Sequence, residues 1–332
     1  MSLTKVTYAM IDGAPANVLD FGAVGDGVTN DAAAFQAAID QSSSIYIPPG
    51  TYKINSSLTL KSNFNFVMDK TAQLDFSSAG GVEYLSAAGT AAASIATTAN
   101  ITAYSSTISV GSTSTLAVGD MLRISSNKVF DPARTSTQIA ELAYVQSLTP
   151  TSITTTTPIQ DSYATADNAK IEKITPVKNI YVYGGKIFGS NATGTADFGL
   201  RVNFGENIIV ENVYFYNIDA AMIQYSNCVA AWARNCKFEF GRANLAYGIS
   251  FADCTRDSGC VDSTFNDVRH SLSTNNSSGA AGGIVRRILF SDNIVYDSAL
   301  NLSGGGSDAI DTHAAAENIS IIGNKCFGSS SQ

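Results

Sequence analysis

The sequence predicts an all-β chain wound as a single-stranded right-handed parallel β-helix, a solenoid with a short N-terminal capping helix and a small β-rich insertion. Three observations carry this. The 332 residues include 27 Gly, long Ser/Thr/Asn/Ala stretches and only 14% charged residues, which suits short strands and tight turns better than solvated helices. A short amphipathic helix precedes a run of strands, as the open end of a solenoid requires to cover its core and unpaired backbone. The second half contains an internal repeat, the sequence signature of stacked rungs. The length exceeds an ordinary single domain, but an elongated repeat uses it without splitting.

Four segments follow in order: an N-terminal linker (1–17), a helix cap with the first rungs (18–99), a β-rich insertion (100–173) and further rungs (174–332). From Val18, glycines 22, 25 and 27 permit a tight turn, and Thr29 or Asn30 is placed to cap a helix whose Ala33, Phe35, Ala38 and Ile39 form an apolar face. Ile45, Tyr46 and Ile47 then read as a strand that Pro48, Pro49 and Gly50 end. Between Ala79 and Pro176 the chain is Ala/Ser/Thr-rich, with strand-like pieces at Thr107–Val110, Met121–Ile124, Tyr144–Leu148 and Ser152–Thr156, read as a compact side lobe.

The repeat begins after Pro176. The run from Asn179 to Phe188 parallels Asn207 to Phe215 and Asn318 to Phe327, with looser copies at Trp232–Phe238, Cys260–Phe265 and Ile288–Val295. The closing residues Phe188, Phe215, Phe238, Phe265, Val295 and Phe327 differ by 27, 23, 27, 30 and 32 positions, one rung per step. A second strand per rung is expected at Gly199–Asn203, Ala221–Tyr225, Gly248–Ala252, Val268–Leu272 and Ala309–His313. Alternation puts Leu200, Val202, Ile249, Phe251, Val268 and Ile310 inside, leaving the outer face for chemistry.

The run Leu19-Asp20-Phe21-Gly22-Ala23-Val24-Gly25-Asp26-Gly27-Val28-Thr29-Asn30-Asp31, followed by a helix and Tyr46-Ile47-Pro48-Pro49-Gly50-Thr51-Tyr52, closely resembles the opening of the pectate-lyase-like superfamily. Its bacteriophage tailspike version often follows a segment like Lys5 to Asn17, and Val118 to Ile124 resembles the small β-insertion of many tailspikes. The resemblance spans about the first 55 residues and is specific for fold rather than reaction. It implies a trimeric enzyme of the virion tail, made in the host cytoplasm, attached to the tail or baseplate through its N-terminus, and cutting the host's surface polysaccharide. The fold alone also accommodates hydrolases, lyases, epimerases and non-catalytic binders.

A net charge of −8 and a pI near 4.7 argue against nucleic acid and anionic membrane as partners, while a neutral or uronate-bearing glycan remains compatible. No leader-like start and no apolar run long enough to span a bilayer is visible. Cys228, Cys236, Cys254, Cys260 and Cys326 are odd in number and lack a Cys-x-x-Cys pair, so they read as buried free thiols rather than disulfides or metal ligands. No cofactor is called for: histidines lack metal-ligand spacing, and no phosphate-cradling glycine loop opens a helix.

The candidate chemistry lies on the last rungs. His270 and His313 are the only histidines, each within two residues of a charged partner, Arg269 or Asp311. If Val268 and Ile310 are equivalent, Arg269 and Asp311 face outward at one level of successive rungs about 4.8 Å apart. His313 then shares the Asp311 face, and His270 points inward unless a bulge turns it out. An Asp orients a His as base, and an Arg holds a substrate carboxylate; an outward salt bridge is the competing reading. The Arg269-His270 and Asp311-Thr312-His313 pieces also resemble paired elements of some depolymerases. Glycoside hydrolysis instead needs two carboxylates, for which Asp308 and Asp311 are the best pair, with Glu239, Asp253, Asp257 and Asp267 in reserve. Asp308 follows the turn Ser303 to Ser307, so a turn role competes. Tyr225, Tyr247 and Trp232 are candidate sugar-stacking residues, joined by Glu239 and Asp253 as binding groups.

These readings lead to a glycan depolymerase, with hydrolysis by Asp308 and Asp311 slightly favoured over β-elimination by His313 or His270 with Arg269. A non-catalytic adhesin is the alternative of another class. The chain stops just after a rung strand, so it is also expected to be a fragment whose later rungs, or a neighbouring subunit, hold further residues.

Overall fold

The computed structural model describes residues 14–133, 135–190, 197–241, 246–277, 279, 282–296, 309–313 and 315–328. The described chain is a right-handed parallel β-helix of three faces. Two faces have nine parallel strands each and the third has seven. One rung runs through Gly205–Glu211 on the first face, Tyr214–Tyr216 on the second and Ala221–Ser226 on the third, and Val229–Arg234 starts the next.

The rung repeat has a backbone cause. Its corners need positive φ, and Asn179, Asn207 and Asn318 adopt φ of 54°, 57° and 57° within the first-face strands. Asn212, Asn235, Asp262 and Asp292 adopt 57°, 47°, 53° and 57° at the corner leading to the second face. Asn and Asp enter this region with least penalty among residues that carry a side chain. The lower asparagines also ladder: Asn207 donates to Asn179, which donates to Asn63, each at 2.8 Å.

Inside, Phe215, Phe238 and Phe265 stack with centroids 5.4 and 4.6 Å apart and planes within 7°. The register aligns Ile187, Phe215, Phe238, Phe265, Val295 and Cys326, so the rung steps are 28, 23, 27, 30 and 31. Phe188 and Phe327 lie one position further, stacking outside on Tyr216 and Tyr296. The repeat is thus offset by one residue at both ends from the sequence alignment, which had matched phenylalanine to phenylalanine.

The capping helix is Ala32–Gln41 and buries Ala32, Phe35, Ala38 and Ile39. Thr29 and Asn30 end a second-face strand and Asp31 takes the N-cap position. The Asp31 carboxylate accepts from the Val24 and Gly25 amides instead, pinning the glycine turn beneath the helix.

The solenoid pauses after the third-face strand Glu83–Ala88 and resumes at Val177–Tyr183. Between them, antiparallel strands from Thr90 to Thr175 form the lobe, wider than the 100–173 anticipated because the short strands Thr90–Ala91 and Ile95–Ala96 pair with Lys170–Thr175. The lobe has its own core around Ile108, Leu122, Ile124, Ile153 and Tyr163. The rungs continue in register across the interruption, Ile180 beside Phe64 and Leu200 beside Leu85. Gly89 marks the branch point, where a Cβ would meet the Thr175 and Phe204 carbonyl oxygens at 2.5 and 2.7 Å.

Cys228, Cys236, Cys254 and Cys260 are buried free thiols, whereas Cys326, on the last described second-face strand, is free but exposed and departs from the buried reading. Among the described residues no helix is long and apolar enough to cross a membrane, and no group of three or more His, Cys, Asp or Glu is placed to hold a metal ion.

Candidate active site on the third face

The third face is where the period breaks. Phe198 pairs with Ala221 and Leu200 with Ile223, skipping one residue on each strand. Met222 belongs to the core, and a Cβ on Gly248 would meet the core Phe265 ring at 2.6 Å, so positions 248 and 249 both face inward. On the next rung the Ser271 and Leu272 amides share the Ala309 carbonyl, at 3.1 and 3.2 Å. This doubled inward step is a β-bulge, and it turns the residue before it outward. His270 therefore faces out, stacked on the outward Tyr247 at 5.4 Å and 17°.

The bulge also revises the rung alignment. Ile310 pairs with Leu272, and Asp311 with Ser273, so Arg269 and Asp311 are not at one level. Val268 ends the second-face strand Thr264–Val268 beside Gly241, and Arg269 occupies the corner. One outward column carries Arg201, Gln224, Ser250, Ser273 and Asp311.

The two histidines nevertheless meet. Asp311 Oδ2 lies 2.8 Å from His313 Nε2 and 3.6 Å from His270 Nε2. The His313 hydrogen bond, then the charges of His313, His270 and Arg269, hold the Asp311 carboxyl below its ordinary range against the opposing effect of burial. The same hydrogen bond raises the His313 imidazole above its ordinary value. The Arg269 guanidinium carbon lies 6.0 Å from the Tyr247 ring centre, and the His313 and His270 rings are nearly perpendicular at 6.3 Å. A groove of about 530 Å³ opens beside His313, lined by Phe130 and Asp131 from the lobe and by Thr312, Ala315, Asn318 and Ile319.

The remaining sequence candidates lie elsewhere. Asp308 falls outside the described residues. Tyr225 points inward, not outward: it registers with Val202 and Phe251, is fully buried, and donates to the Trp232 carbonyl. Trp232 is half-buried on the first face, accommodated by Gly259 of the next rung, whose Cβ would meet its ring at 2.6 Å. Glu239 sits on the second face, held below the ordinary carboxylate range by Lys237 and Tyr214 despite burial. Asp253 is buried at the corner after the third face, accepting from the Ser226 hydroxyl and Ser277 amide at 2.5 and 2.7 Å. Asp257 pairs with Arg256 and Arg287 on the first face, and Asp267 adopts φ of 55° in the second-face strand Thr264–Val268.

A carboxylate pair escaped the sequence reading. Asp197 accepts from the Gly81 and Val82 amides and the Tyr84 and Ser190 hydroxyls. On the next rung both Asp219 oxygens are buried without a hydrogen-bond partner among the described residues. Burial, and then the Asp197 charge, push the Asp219 carboxyl up to about 6. The available signal was an aspartate just before each of two successive third-face strands.

The His–Asp–Arg cluster thus stands on the outer side of a parallel β-helix. The chain belongs to the pectate-lyase-like family described as rhamnogalacturonase A/epimerase, whose model matches residues 16–256. Its fold is that of the tailspike gp49 of Pseudomonas phage LKA1 (TM-score 0.80, 22% identity, 93% of this chain and 56% of that one). It is likewise similar to the gp54 tailspike of Acinetobacter baumannii bacteriophage AP22, solved in complex with a capsular saccharide (TM-score 0.76, 17% identity, 92% and 50%). A short stretch is 44% identical over 63 residues to the mannuronan C5-epimerase AlgE2 of Azotobacter vinelandii, covering 15% of this chain and 6% of that protein. The chain thus spans about half the length of these tailspikes and a small part of the epimerase.

Proposed function

We propose that this chain is part of a phage tailspike depolymerase, a homotrimer attached through its N-terminal segment, that shortens a uronate-bearing bacterial surface polysaccharide by β-elimination at the third-face cluster. The observation that carries this reading is the 2.8 Å contact between His313 and Asp311 with His270 and Arg269 alongside. His313 Nε2–H donates to Asp311, which leaves Nδ1 of the neutral ring as the acceptor for a proton. That nitrogen removes the C5 proton of a bound uronate while Arg269 neutralises the sugar carboxylate. The C5 electrons form the C4–C5 double bond, and the glycosidic oxygen leaves C4 and takes up a proton. C5-epimerisation, the activity named for the Azotobacter relatives, begins with the same proton removal but leaves chain length unchanged.

Hydrolysis, the first preference on carboxylate count, loses ground at Asp311, because a carboxyl drawn below its ordinary range by His313 is a poor proton donor near neutrality. It gains a separate basis in Asp219, a carboxyl that burial and then the Asp197 charge push up to about 6, where a general acid is effective near neutrality. The test is incubation with a panel of capsular and O-antigen polysaccharides, following polymer size, reducing ends and ultraviolet absorbance of unsaturated uronate. Shortening with new absorbance that His313→Ala abolishes is the expected result. Reducing ends without absorbance, lost in Asp219→Asn, would assign hydrolysis. Binding without shortening would leave an adhesin.

A further inference from the structure

The lobe does more than interrupt the solenoid: it leans over the first face and encloses a cleft of about 330 Å³ on a different side from the histidine cluster. The lobe contributes Glu141, Thr157, Pro158 and Gln160, and the first-face strands contribute Arg256, Arg286 and Arg287. Two of these arginines are more than nine-tenths buried, Arg286 at 2% exposure and Arg256 at 8%, and each retains a buried N–H, Nη1 and Nε respectively, without a partner among the described residues. Such donors are rare in folded proteins and mark places where an acceptor belongs.

The guanidinium groups are otherwise held rigidly. Arg286 bridges Asp161 of the lobe at 2.5 Å and Glu317 of the next rung at 2.9 Å. Arg256 pairs with Asp257, which also takes Arg287 at 2.5 Å, and lies 5.6 Å from the Tyr144 ring. The three arginines thus face the three carboxylates Asp161, Asp257 and Glu317, and burial raises the Glu141 carboxyl toward its neutral form. The cleft has strong planar donors and no excess positive charge. That combination disfavours an anionic ligand and suits an uncharged one rich in hydroxyl acceptors.

We propose that this cleft is a second saccharide site, which takes a neutral hexose unit and holds a stretch of glycan away from the third-face cluster. The inference rests on the reading of the chain as a glycan-binding protein. Its role is retention of the polymer, so its loss weakens binding without altering the chemistry at His313.

The test uses the full chain and saturation-transfer NMR with the methyl glycosides of glucose, galactose, mannose, rhamnose and N-acetylglucosamine, and with glucuronate. Thr157→Trp fills the cleft from an exposed position, and Gln160→Ala trims it without added bulk. At least one neutral glycoside is expected to give transfer that both cleft variants reduce tenfold or more and that His313→Ala leaves unchanged. Transfer that survives Thr157→Trp, a preference for glucuronate, or no transfer from any neutral glycoside overturns the inference. The polysaccharide panel separates this from failure of the functional reading: a chain that shortens polymer and whose His313→Ala variant does not, yet shows no effect of the cleft variants, refutes the second site alone.

Discussion

The second and third faces treat the same rung repeat in opposite ways. On the second face one apolar residue per rung enters the core in strict register, Ile187, Phe215, Phe238, Phe265 and Val295, and the rings stack nearly parallel. On the third face the four rungs that begin at Phe198, Ala221, Tyr247 and His270 insert the next two consecutive residues, and those four neighbours turn outward. Regular stacking produces cohesion and leaves little freedom to place a functional group. The bulge gives up one ladder position and turns an otherwise inward residue to the outer side of the sheet, where His270, still buried, approaches Asp311 to 3.6 Å.

This contrast can be broken from either side. Removing the third-face imidazole should have the largest functional effect: His313→Ala is expected to lower turnover by roughly 10²–10⁴-fold with an unchanged circular dichroism spectrum. Retained activity would move the chemistry off the cluster. In the second-face stack, Phe238→Ala is expected to cost about 3–5 kcal/mol in denaturant unfolding, since its ring lies between two others in a closed core. A loss under 1 kcal/mol would mean that the stack collapses around the gap. At the corners, Asn207→Ala should cost about 1–2 kcal/mol and Asn207→Gly less, the difference measuring the positive-φ penalty.

Two pH effects sharpen the comparison further. The His313 imidazole is raised by Asp311, so a reaction that uses its neutral form gains rate only as pH rises through that elevated value. Asp311→Asn should slide this limb of kcat/KM back toward the ordinary imidazole range, while slowing the reaction because the ring is no longer oriented. Asp219 has the opposite sign from an ordinary salt-bridged carboxylate. With a folded pKa of about 6 against 3.8, it is protonated more readily in the folded state, so its contribution to stability is greatest at low pH and declines from about pH 4 to about pH 6. Asp219→Asn should therefore raise Tm slightly at pH 8 relative to the native chain and leave the difference near zero at pH 4. Equal Tm shifts at both pH values would mean that the substitution acts through packing rather than charge.

The solenoid was legible because its corners and its core use different residue types at a fixed offset. Asn207 lies within a first-face strand and Asn212 follows its end, and the step of three from Asn212 to Phe215 recurs from Asn235 to Phe238 and from Asp262 to Phe265, which announces the rung. The one-residue slip at Phe188 and Phe327 arose because outward aromatic stacks on the second face imitate the inward ones. The histidine cluster was only half legible. Asp311 and His313 share a face by simple alternation, but the outward turn of His270 depends on a bulge that alternation cannot express. Tyr225 was misplaced for a related reason: its hydroxyl reads as a surface group, yet its ring fills the core and the hydroxyl finds the Trp232 carbonyl within it. Asp219 was invisible because its distinction lies in the lack of a hydrogen-bond partner among the described residues.

The branch at Gly89 has a consequence for how such chains are assembled. Its amide bonds to the Asn203 carbonyl as that of Phe204 bonds to Ser226, and Val177 pairs with Gly205, so Gly89 and Val177 are the rung equivalents of Phe204 and Gly205, two residues adjacent in sequence. Joining Gly89 directly to Val177 would then reproduce an uninterrupted corner, and the strands above and below are already aligned across the gap. The lobe is in that sense a cassette, inserted or exchanged at a single peptide bond while the underlying coil stays in phase. Because Phe130 and Asp131 of the lobe also line the groove beside His313, exchanging the cassette would reshape the approach to the third-face cluster as well as the cleft on the first face.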